Sequence, residues 1–93
     1  MKLIDYWGLM VIPSGALITD RTAWAKLVGQ VDDRLIITSK IIHLHEPRGG
    51  GDVFPFVITA SGNEYDLRGI PREKTTEEWL ALLRRVLAGE KIY

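Results

Sequence analysis

The stretch VFPFVITASGNEYDLR, residues 53–68, predicts an antiparallel β-hairpin and decides the fold class. Gly62 and Asn63 form a two-residue pair of the kind that accepts positive φ in a tight turn between two strands. Pro55 has no N–H to donate to a ladder, so we expect it at a sheet edge, at a strand start or in a bulge. The chain is therefore expected to contain an antiparallel sheet.

The predicted turn fixes which side chains share a face of the hairpin. It places Ala60 opposite Tyr65 and Ile58 opposite Leu67. One face then carries Phe56, Ile58, Ala60, Tyr65 and Leu67, and the other carries Val57, Thr59, Ser61, Glu64, Asp66 and Arg68. An apolar face opposite a polar face is typical of a half-buried antiparallel pair, so the first set is expected to face the core.

A second strand unit follows from residues 35–45, which are strongly β-prone because of their aliphatic content. The phase of the alternation slips at residues 38–40, which predicts a bulge or a bend there. Asp32 and Asp33 can turn the chain, so residues 27–31 are expected to form the first arm of a hairpin with the start of this strand.

The sequence before this hairpin gives a less definite prediction of secondary structure. Residues 9–12 and 16–18 flank a turn signal and are expected to form a short strand pair. Residues 19–27 leave two alternatives open, a short capped helix that carries Trp24 or a loop that leads into a strand.

A C-terminal helix is predicted by its caps and its periodicity. Thr75 and Glu78 have capping-box spacing, and Gly89 is a natural C-terminal stop. Apolar residues recur on one stripe at helical spacing: Trp79, Leu80, Leu83, Val86 and Leu87. We expect this stripe to cover the face of the sheet that carries Phe56, Ile58, Tyr65 and Leu67.

Together these elements predict one α+β domain over residues 1–93. Its expected architecture is a small twisted antiparallel β-sheet, or a partly open β-barrel, with the C-terminal amphipathic helix packed on it. A hydrophobic content of 46% is sufficient for a core and argues against disorder.

Composition narrows the classes of function. Lys and Arg number 12 and Asp and Glu number 12, and a net charge of zero disfavours a dedicated nucleic-acid binder while leaving self-association open. The chain has no Cys, which excludes disulfides and thiolate catalysis and favours a reducing, cytoplasmic location. No apolar run reaches the roughly 18–20 residues of a membrane span, so no membrane contact is expected.

His43 and His45 form the one pair with metal-ligand spacing, because residues two apart on a strand face the same side. A catalytic zinc needs a third ligand, which would be a carboxylate such as Asp52, Glu64 or Asp66. The alternative is two polar residues at the exposed end of a strand. Since two ligands underdetermine a site, no cofactor is predicted.

Three features are candidate contact surfaces for a partner. The N-terminal aromatic Trp7 is either part of the core, which we favour, or an exposed patch. The glycine-rich loop 46–52 precedes a strand signal rather than a helix, which favours a contact loop over a phosphate cradle. With a basic segment after the hairpin, these features give the predicted binding residues Trp7, Arg48, Asp52, Arg68, Arg72 and Lys74.

Nucleic-acid binding is a further alternative. The basic residues Lys40, Arg48, Arg68, Arg72 and Lys74 would have to gather beside stacking rings from Phe54, Tyr65 and Trp24. The neutral net charge favours the opposite interpretation, a solvated surface on which these charges alternate with acidic ones.

Residues 28–31, 37–41 and 59–67 carry a pattern that resembles small bacterial and prophage proteins. The resemblance implies a β-meander of partly open barrel type and implies no activity. Since no catalytic constellation is present, we predict a non-enzymatic small binding protein, a protein–protein interaction module (adaptor or inhibitor) of phage or mobile-element type. Its protein partner is unidentified, with a homodimer among the options. The alternatives are a nucleic-acid-binding β-barrel and, less favoured, a metal-dependent enzyme that uses His43 and His45.

Overall fold

The computed structural model describes residues 1–15, 22–47 and 54–92. Their elements are β1 Lys2–Leu3, β2 Asp5–Pro13, β3 Ala23–Val31, β4 Arg34–His45, β5 Phe56–Thr59, β6 Glu64–Asp66 and α1 Thr76–Leu87. The six strands form one sheet in the order β1-β6-β5-β4-β3-β2, in which the β1–β6 pair is parallel and the other pairs are antiparallel. The sheet curls into a half-barrel with the helix as its cover, so the predicted α+β architecture is confirmed.

The N-terminal segment formed by β1 and β2 closes the curl, because it bonds β6 and residues 66–72 on one side and pairs with β3 on the other. One residue, Ile4, separates β1 from β2, although these strands lie at opposite ends of the sheet order. The N–H of Ile4 donates to the Asp66 carbonyl at 3.2 Å, and the N–H of Trp7 donates to the Ile70 carbonyl at 3.2 Å. Tyr6, with φ of 49°, lies in the register shift where β2 turns from this seam towards β3.

Trp7 lies in the core rather than on the surface. Its side chain is 0% exposed, and its indole Nε1–H donates to the Gly69 carbonyl at 2.9 Å. This position agrees with the favoured prediction that Trp7 belongs to the core. Trp7 therefore offers no exposed ring to a partner. The cluster around it comprises Ile4, Leu9, Ala25, Leu27, Ile41, Val57, Tyr65, Leu67, Trp79, Leu80, Leu83 and Val86.

The β5–β6 hairpin lies where the sequence predicts it, but the predicted register is wrong. Val57, not Ala60, lies opposite Tyr65. The N–H of Gly62 donates to the Thr59 carbonyl at 2.8 Å, and the N–H of Thr59 donates to the Asn63 carbonyl at 3.0 Å. These bonds enclose a loop of three residues, 60–62, instead of two.

The reason for the different register is the backbone of the turn. The Gly62 N–H closes a turn onto the Thr59 carbonyl, so Gly62 (φ 90°) is the last residue of the loop instead of the first central residue of a two-residue turn. A type I turn followed by one left-handed glycine gives the three-residue loop. The shift moves the buried face to Val57, Thr59, Tyr65 and Leu67, and it leaves Phe56 and Ile58 half-buried.

The β3–β4 hairpin and its bulge agree with the sequence predictions. Val31 pairs with Arg34 across Asp32 (φ 50°) and Asp33 (φ 64°), which is the backbone of a type I′ turn. The predicted bulge is the register shift between the Lys26–Lys40 and Val28–Ile37 pairs. There the Thr38 hydroxyl accepts from the Leu27 N–H at 2.9 Å and substitutes for a carbonyl.

For residues 19–27 the sequence left open a short helix or a loop that leads into a strand. From Ala23 onwards the chain is strand, as part of β3. Residues 9–12 belong to β2, which pairs with β3. The other half of that predicted pair, residues 16–18, lies outside the described residues.

Helix α1 confirms the predicted caps. The Thr75 side chain accepts from the Glu78 N–H, and the Glu78 carboxylate accepts from the Thr75 N–H. Strands β2, β3 and β4 approach the helix closely. Tyr65 and Leu67 join its buried cluster as expected, whereas Phe56 and Ile58, on the other face, do not. Within the described residues, no helix has the length and apolar character needed to cross a bilayer.

An ion pair joins the helix to the end of β4. The Nε–H of Arg84 donates to both carboxylate oxygens of Glu46, at 3.0 and 2.9 Å, and Arg84 Nη1 bonds Glu77 at 3.0 Å. The hydrogen bonds from Arg84 are the main cause that lowers the pKa of the Glu46 carboxyl.

Trp7→Phe is expected to lower the free energy of unfolding by about 2 kcal/mol, because it leaves a cavity and removes the donor to the Gly69 carbonyl. The matched control is Trp24→Phe at a half-buried position on β3, expected to cost less than about 1 kcal/mol. Urea unfolding measures both. Equal losses would contradict the central position of Trp7.

Glu46→Gln is expected to reduce stability by about 0.5 kcal/mol near neutral pH, since an exposed pair is largely screened by solvent. The folded-state pKa of Glu46 is lowered, so the pair contributes fully above the unfolded value of about 4.5 and is lost as pH falls through the folded pKa. Thermal melts between about pH 7 and 3 should therefore show the variant and the wild type converging at the acidic end. Glu64→Gln, an exposed carboxylate on β6, is the control.

Candidate functional site

Three large aliphatic side chains on β4 are more than half exposed, and two of them, Leu35 and Ile37, lie near its start. Leu35 is 74% and Ile37 is 62% exposed, although both belong to a strand in the middle of the sheet order. Their neighbours across the ladder are Gln30 and Val28 on β3. Single exposed aliphatic residues are common, but two on the same face of one strand form a local apolar surface.

The first half of β4 also has an open ladder side, because β4 changes partners along its length. It pairs with β3 over residues 34–40 and with β5 over residues 41–45. In the described part of the chain, no strand pairs with residues 34–38 on the side away from β3. This segment, residues 34–38, is called the β4 edge below.

The backbone polarity of the β4 edge follows from the turn that precedes it. In a type I′ turn the Arg34 N–H bonds the Val31 carbonyl, so Arg34 directs its backbone groups towards β3. Bonding direction alternates along an antiparallel strand, so Ile36 also faces β3. Leu35 and Ile37 therefore direct their N–H and C=O groups away from β3, into the open side of the half-barrel.

A cleft of 510 Å³ lies beside the β4 edge. Val31, Arg34 and Ile36 form one wall, and Lys2 of β1 and Tyr65 of β6 form the other. An adjoining cleft of 690 Å³ shares Lys2, Val31 and Asp32 and continues towards Tyr6. The gap in the half-barrel is thus open to an extended chain.

Charge is distributed unequally along the β4 edge. Asp32 and Asp33 lie in the turn at one end. At the other end Lys26 and Lys40 lie directly opposite each other on β3 and β4. Arg34 belongs to the edge itself and places a positive charge directly after the two aspartates, and the Lys40 carbonyl accepts from the Ala60 N–H at 2.7 Å, so these charges do not impose a single order on a partner strand.

The predicted basic segment is occupied by contacts within the chain. Arg68 bonds Asp66 at 2.7 Å, and its guanidinium lies 4.9 Å from the centre of the Phe54 ring. The Nε–H of Arg72 donates to the Tyr6 carbonyl. The Lys74 ammonium lies 5.7 Å from the Trp79 ring. The predicted residues Arg48 and Asp52 lie outside the described residues.

The rings proposed for nucleic-acid stacking are not freely available. Tyr65 is 6% exposed, Phe54 is 43% exposed but has the Arg68 guanidinium over one face, and Trp24 is half-buried beside Lys26, whose ammonium lies 5.6 Å from the ring. Lys40 lies on β4 opposite Lys26 rather than beside the segment that contains Arg68.

The serine hydroxyls near β4 support a turn. The Ser39 hydroxyl donates to the Ser61 hydroxyl at 3.1 Å and accepts from the Ser61 N–H at 3.1 Å. The Asn63 amide also donates to Ser61, at 3.2 Å. These bonds hold the β5–β6 loop against the β4 bulge, which is a structural role.

His43 and His45 are both exposed at the end of β4. The His45 ring stacks on Phe56 with 4.8 Å between the ring centres. In residues 1–15, 22–47 and 54–92, no three His, Asp or Glu side chains are grouped to hold a metal ion. Glu64 and Asp66 therefore do not complete a site with these histidines, and Asp52 is not described.

The β4 edge is the feature that the sequence analysis missed. Leu35, Ile36 and Ile37 are consecutive, and a strand with alternating faces cannot bury three consecutive side chains on one side. This run was a signal that one face of the strand would carry exposed aliphatic residues.

Zinc in modest excess is expected to leave the melting temperature unchanged, because His43 and His45 alone supply too few ligands for a stable site. The measurement is a thermal melt with and without zinc, with His43→Ala as the control. A rise in melting temperature that His43→Ala abolishes would establish a metal site at these histidines.

No protein-family model matches this chain, and neither a curated protein nor a solved structure is significantly similar to it. Its own geometry is therefore the basis on which its function is proposed.

Proposed function

We propose that this protein is a non-enzymatic protein-interaction module that binds an extended polypeptide strand at the β4 edge. The observation that carries the proposal is the exposure of Leu35 (74%) and Ile37 (62%) on a strand segment that, among the described residues, has no strand partner on the side away from β3. A strand edge of this kind is a template for strand addition, in which backbone bonds give affinity and alternate side chains give specificity.

The chemistry of the partner follows from the edge. Its strand needs aliphatic side chains on one face to cover Leu35 and Ile37. An acidic residue beside Arg34, the charged residue of the edge itself, would add a favourable contact. The adjoining cleft gives the strand space on the open side of the half-barrel.

The strength of such a contact is modest. Burying an aliphatic side chain yields about 1.5–3 kcal/mol, and each net backbone hydrogen bond yields about 0.5–1.5 kcal/mol. Association itself costs roughly 4–15 kcal/mol in lost freedom. With the gains at the top of these ranges and the cost at the bottom, about 6 kcal/mol remains, so two aliphatic anchors with a few backbone bonds support a Kd no tighter than about 10⁻⁵ M, which suits a reversible adaptor or inhibitor.

The basic segment that contains Arg68 is a weaker candidate for the contact. Arg68 lies over the Phe54 ring, Arg72 donates to the Tyr6 carbonyl, and Lys74 lies near the Trp79 ring. A partner would have to compete with these contacts, whereas the β4 edge has none to give up on its open side within the described residues. The phage or mobile-element setting remains a proposal that rests on the resemblance and the small size.

The test is capture of a partner from an extract of the source organism, with tagged wild type, Ile37→Lys and Ile70→Lys, each with and without nuclease. Ile70 is the matched control because it is also an isoleucine that is 62% exposed, and it belongs to the basic segment. We expect Ile37→Lys to reduce recovery of a stoichiometric protein about tenfold, because lysine cannot cover the apolar anchor of the partner. Ile70→Lys should leave recovery unchanged.

Two outcomes would contradict the proposal. Loss with Ile70→Lys and retention with Ile37→Lys would move the contact to the basic segment. Recovery that disappears with nuclease would indicate nucleic-acid binding instead.

A further inference from the structure

We infer that the cleft of 510 Å³ between β4 and the β1–β6 pair is a binding site for a small organic carboxylate with an apolar body. This cleft is called the Tyr65 cleft below. Three features of its lining carry the inference: a tyrosine hydroxyl without a partner, two cations without counterions, and apolar walls. The site does not depend on the strand binding proposed at Leu35 and Ile37, whose side chains lie on the other face of β4.

The hydroxyl of Tyr65 has no hydrogen-bond partner in the part of the chain that the structure describes, although the residue is only 6% exposed and belongs to the core cluster. In the same residues no buried side-chain nitrogen or oxygen lacks a partner, so this hydroxyl is not enclosed by the core. Tyr65 lines the cleft, which gives the hydroxyl its access to solvent. Because a buried tyrosine normally bonds a partner through its hydroxyl, the cleft presents one donor to a ligand.

Lys2 and Arg34 supply two positive charges from opposite walls of the cleft. Lys2 pairs with Tyr65 in the parallel ladder of β1 and β6, so their side chains share a face of the sheet. Arg34 shares a face of β4 with Ile36, two residues further on. Among the described residues, neither cation forms an ion pair. Both charges are therefore available to an anion.

Val31 and Ile36 form the apolar walls. Both are half-buried and pack against the core cluster. The volume of 510 Å³ lies within the range of about 300–1,000 Å³ that is typical of small-molecule sites. A matching ligand places an apolar body against these side chains and an anionic head among the three donors.

Asp32 sets the charge that the head can carry. It also lines the cleft and forms no ion pair with Lys2 or Arg34, so two cations and one carboxylate leave one net positive charge. A singly charged head balances this charge, whereas a phosphate dianion would be repelled by Asp32. The guanidinium of Arg34 presents paired N–H donors that match the two oxygens of a carboxylate.

The adjoining cleft of 690 Å³ has the opposite charge balance. Asp5, Asp32 and Asp33 line it, with Lys2 among its cations. Three carboxylates disfavour an anion there, so the carboxylate head is confined to the Tyr65 cleft.

The experiment is a titration of the full chain with octanoate, followed by amide chemical shifts in NMR at about pH 7.5. We expect shifts at Lys2, Arg34 and Tyr65 with a Kd on the order of 10⁻³ M, because a ligand of about ten heavy atoms binds with modest efficiency. Octanamide, which has no charge, and octylamine, which reverses it, should bind about tenfold more weakly or less. Octyl phosphate, largely a dianion at this pH, should bind about threefold more weakly.

Three variants locate the carboxylate head. Tyr65→Phe should raise the octanoate Kd about threefold, and Lys2→Gln and Arg34→Gln should each raise it about fivefold. The matched control is Lys40→Gln, which removes the same charge from an exposed position on β4 outside the cleft and should leave the Kd unchanged. Tyr65→Phe should also keep the wild-type melting temperature, because the hydroxyl has no partner within the described chain.

Octanoate that shifts no amide of the Tyr65 cleft would overturn the inference. Equal binding of octanoate and octylamine would do the same, as would a loss of affinity in Lys40→Gln that equals the loss in Arg34→Gln. The blocked peptide acetyl-Val-Glu-Val-amide offers the same carboxylate from an extended strand. Binding of this peptide without binding of octanoate would assign the cleft to a partner strand and overturn the site for a small acid.

The outcome for the proposed function is measured separately. Ile37→Lys should leave the octanoate Kd unchanged, because Ile37 lies on the face of β4 opposite Arg34 and Ile36. Octanoate binding in a protein that captures no partner would retain the carboxylate site and refute strand binding. Capture that depends on Ile37 in a protein that binds no octanoate would refute the carboxylate site alone.

Discussion

The seam between the N-terminal strand and residues 66–72 is the constraint on which the rest of the structure depends. Backbone bonds of Ile4 and Trp7 hold the two ends of the sheet order together. Gly69 makes this approach feasible, because a Cβ there would collide with the Ile4 carbonyl. The buried indole of Trp7 then bonds the Gly69 carbonyl and fills the space enclosed by the curl. Without this seam the strands would form an open sheet with a less enclosed core.

Curling the sheet has a consequence for its longest strand. β4 has 12 residues, whereas β5 has four and β6 has three. The short strands can accompany only the second half of β4, so the β4 edge has β3 on one side and none of the described strands on the other. The open backbone side of the β4 edge is therefore a product of unequal strand lengths in a half-barrel. This is the physical origin of the proposed binding surface.

Local signals predicted the elements better than their partners. The helix was predictable because its caps, Thr75 and Glu78, and its apolar stripe are encoded within 15 residues. The position of the β5–β6 hairpin was predictable as well, but its register depended on whether Gly62 begins or ends the turn, which the residue types alone do not decide. The β4 edge could not be predicted, because it depends on where β5 ends relative to a strand 20 residues earlier.

The central claim is that Leu35 and Ile37 have free backbone groups while Ile36 is bonded to β3. Amide hydrogen exchange by NMR in dilute solution tests this residue by residue. The account predicts fast exchange at Leu35 and Ile37 and exchange that is slower by about tenfold or more at Ile36, since opening of the β3–β4 pair is required for the latter. Equal protection at the three amides in dilute solution would contradict the account, because it would mean that β4 has a second partner within its own chain.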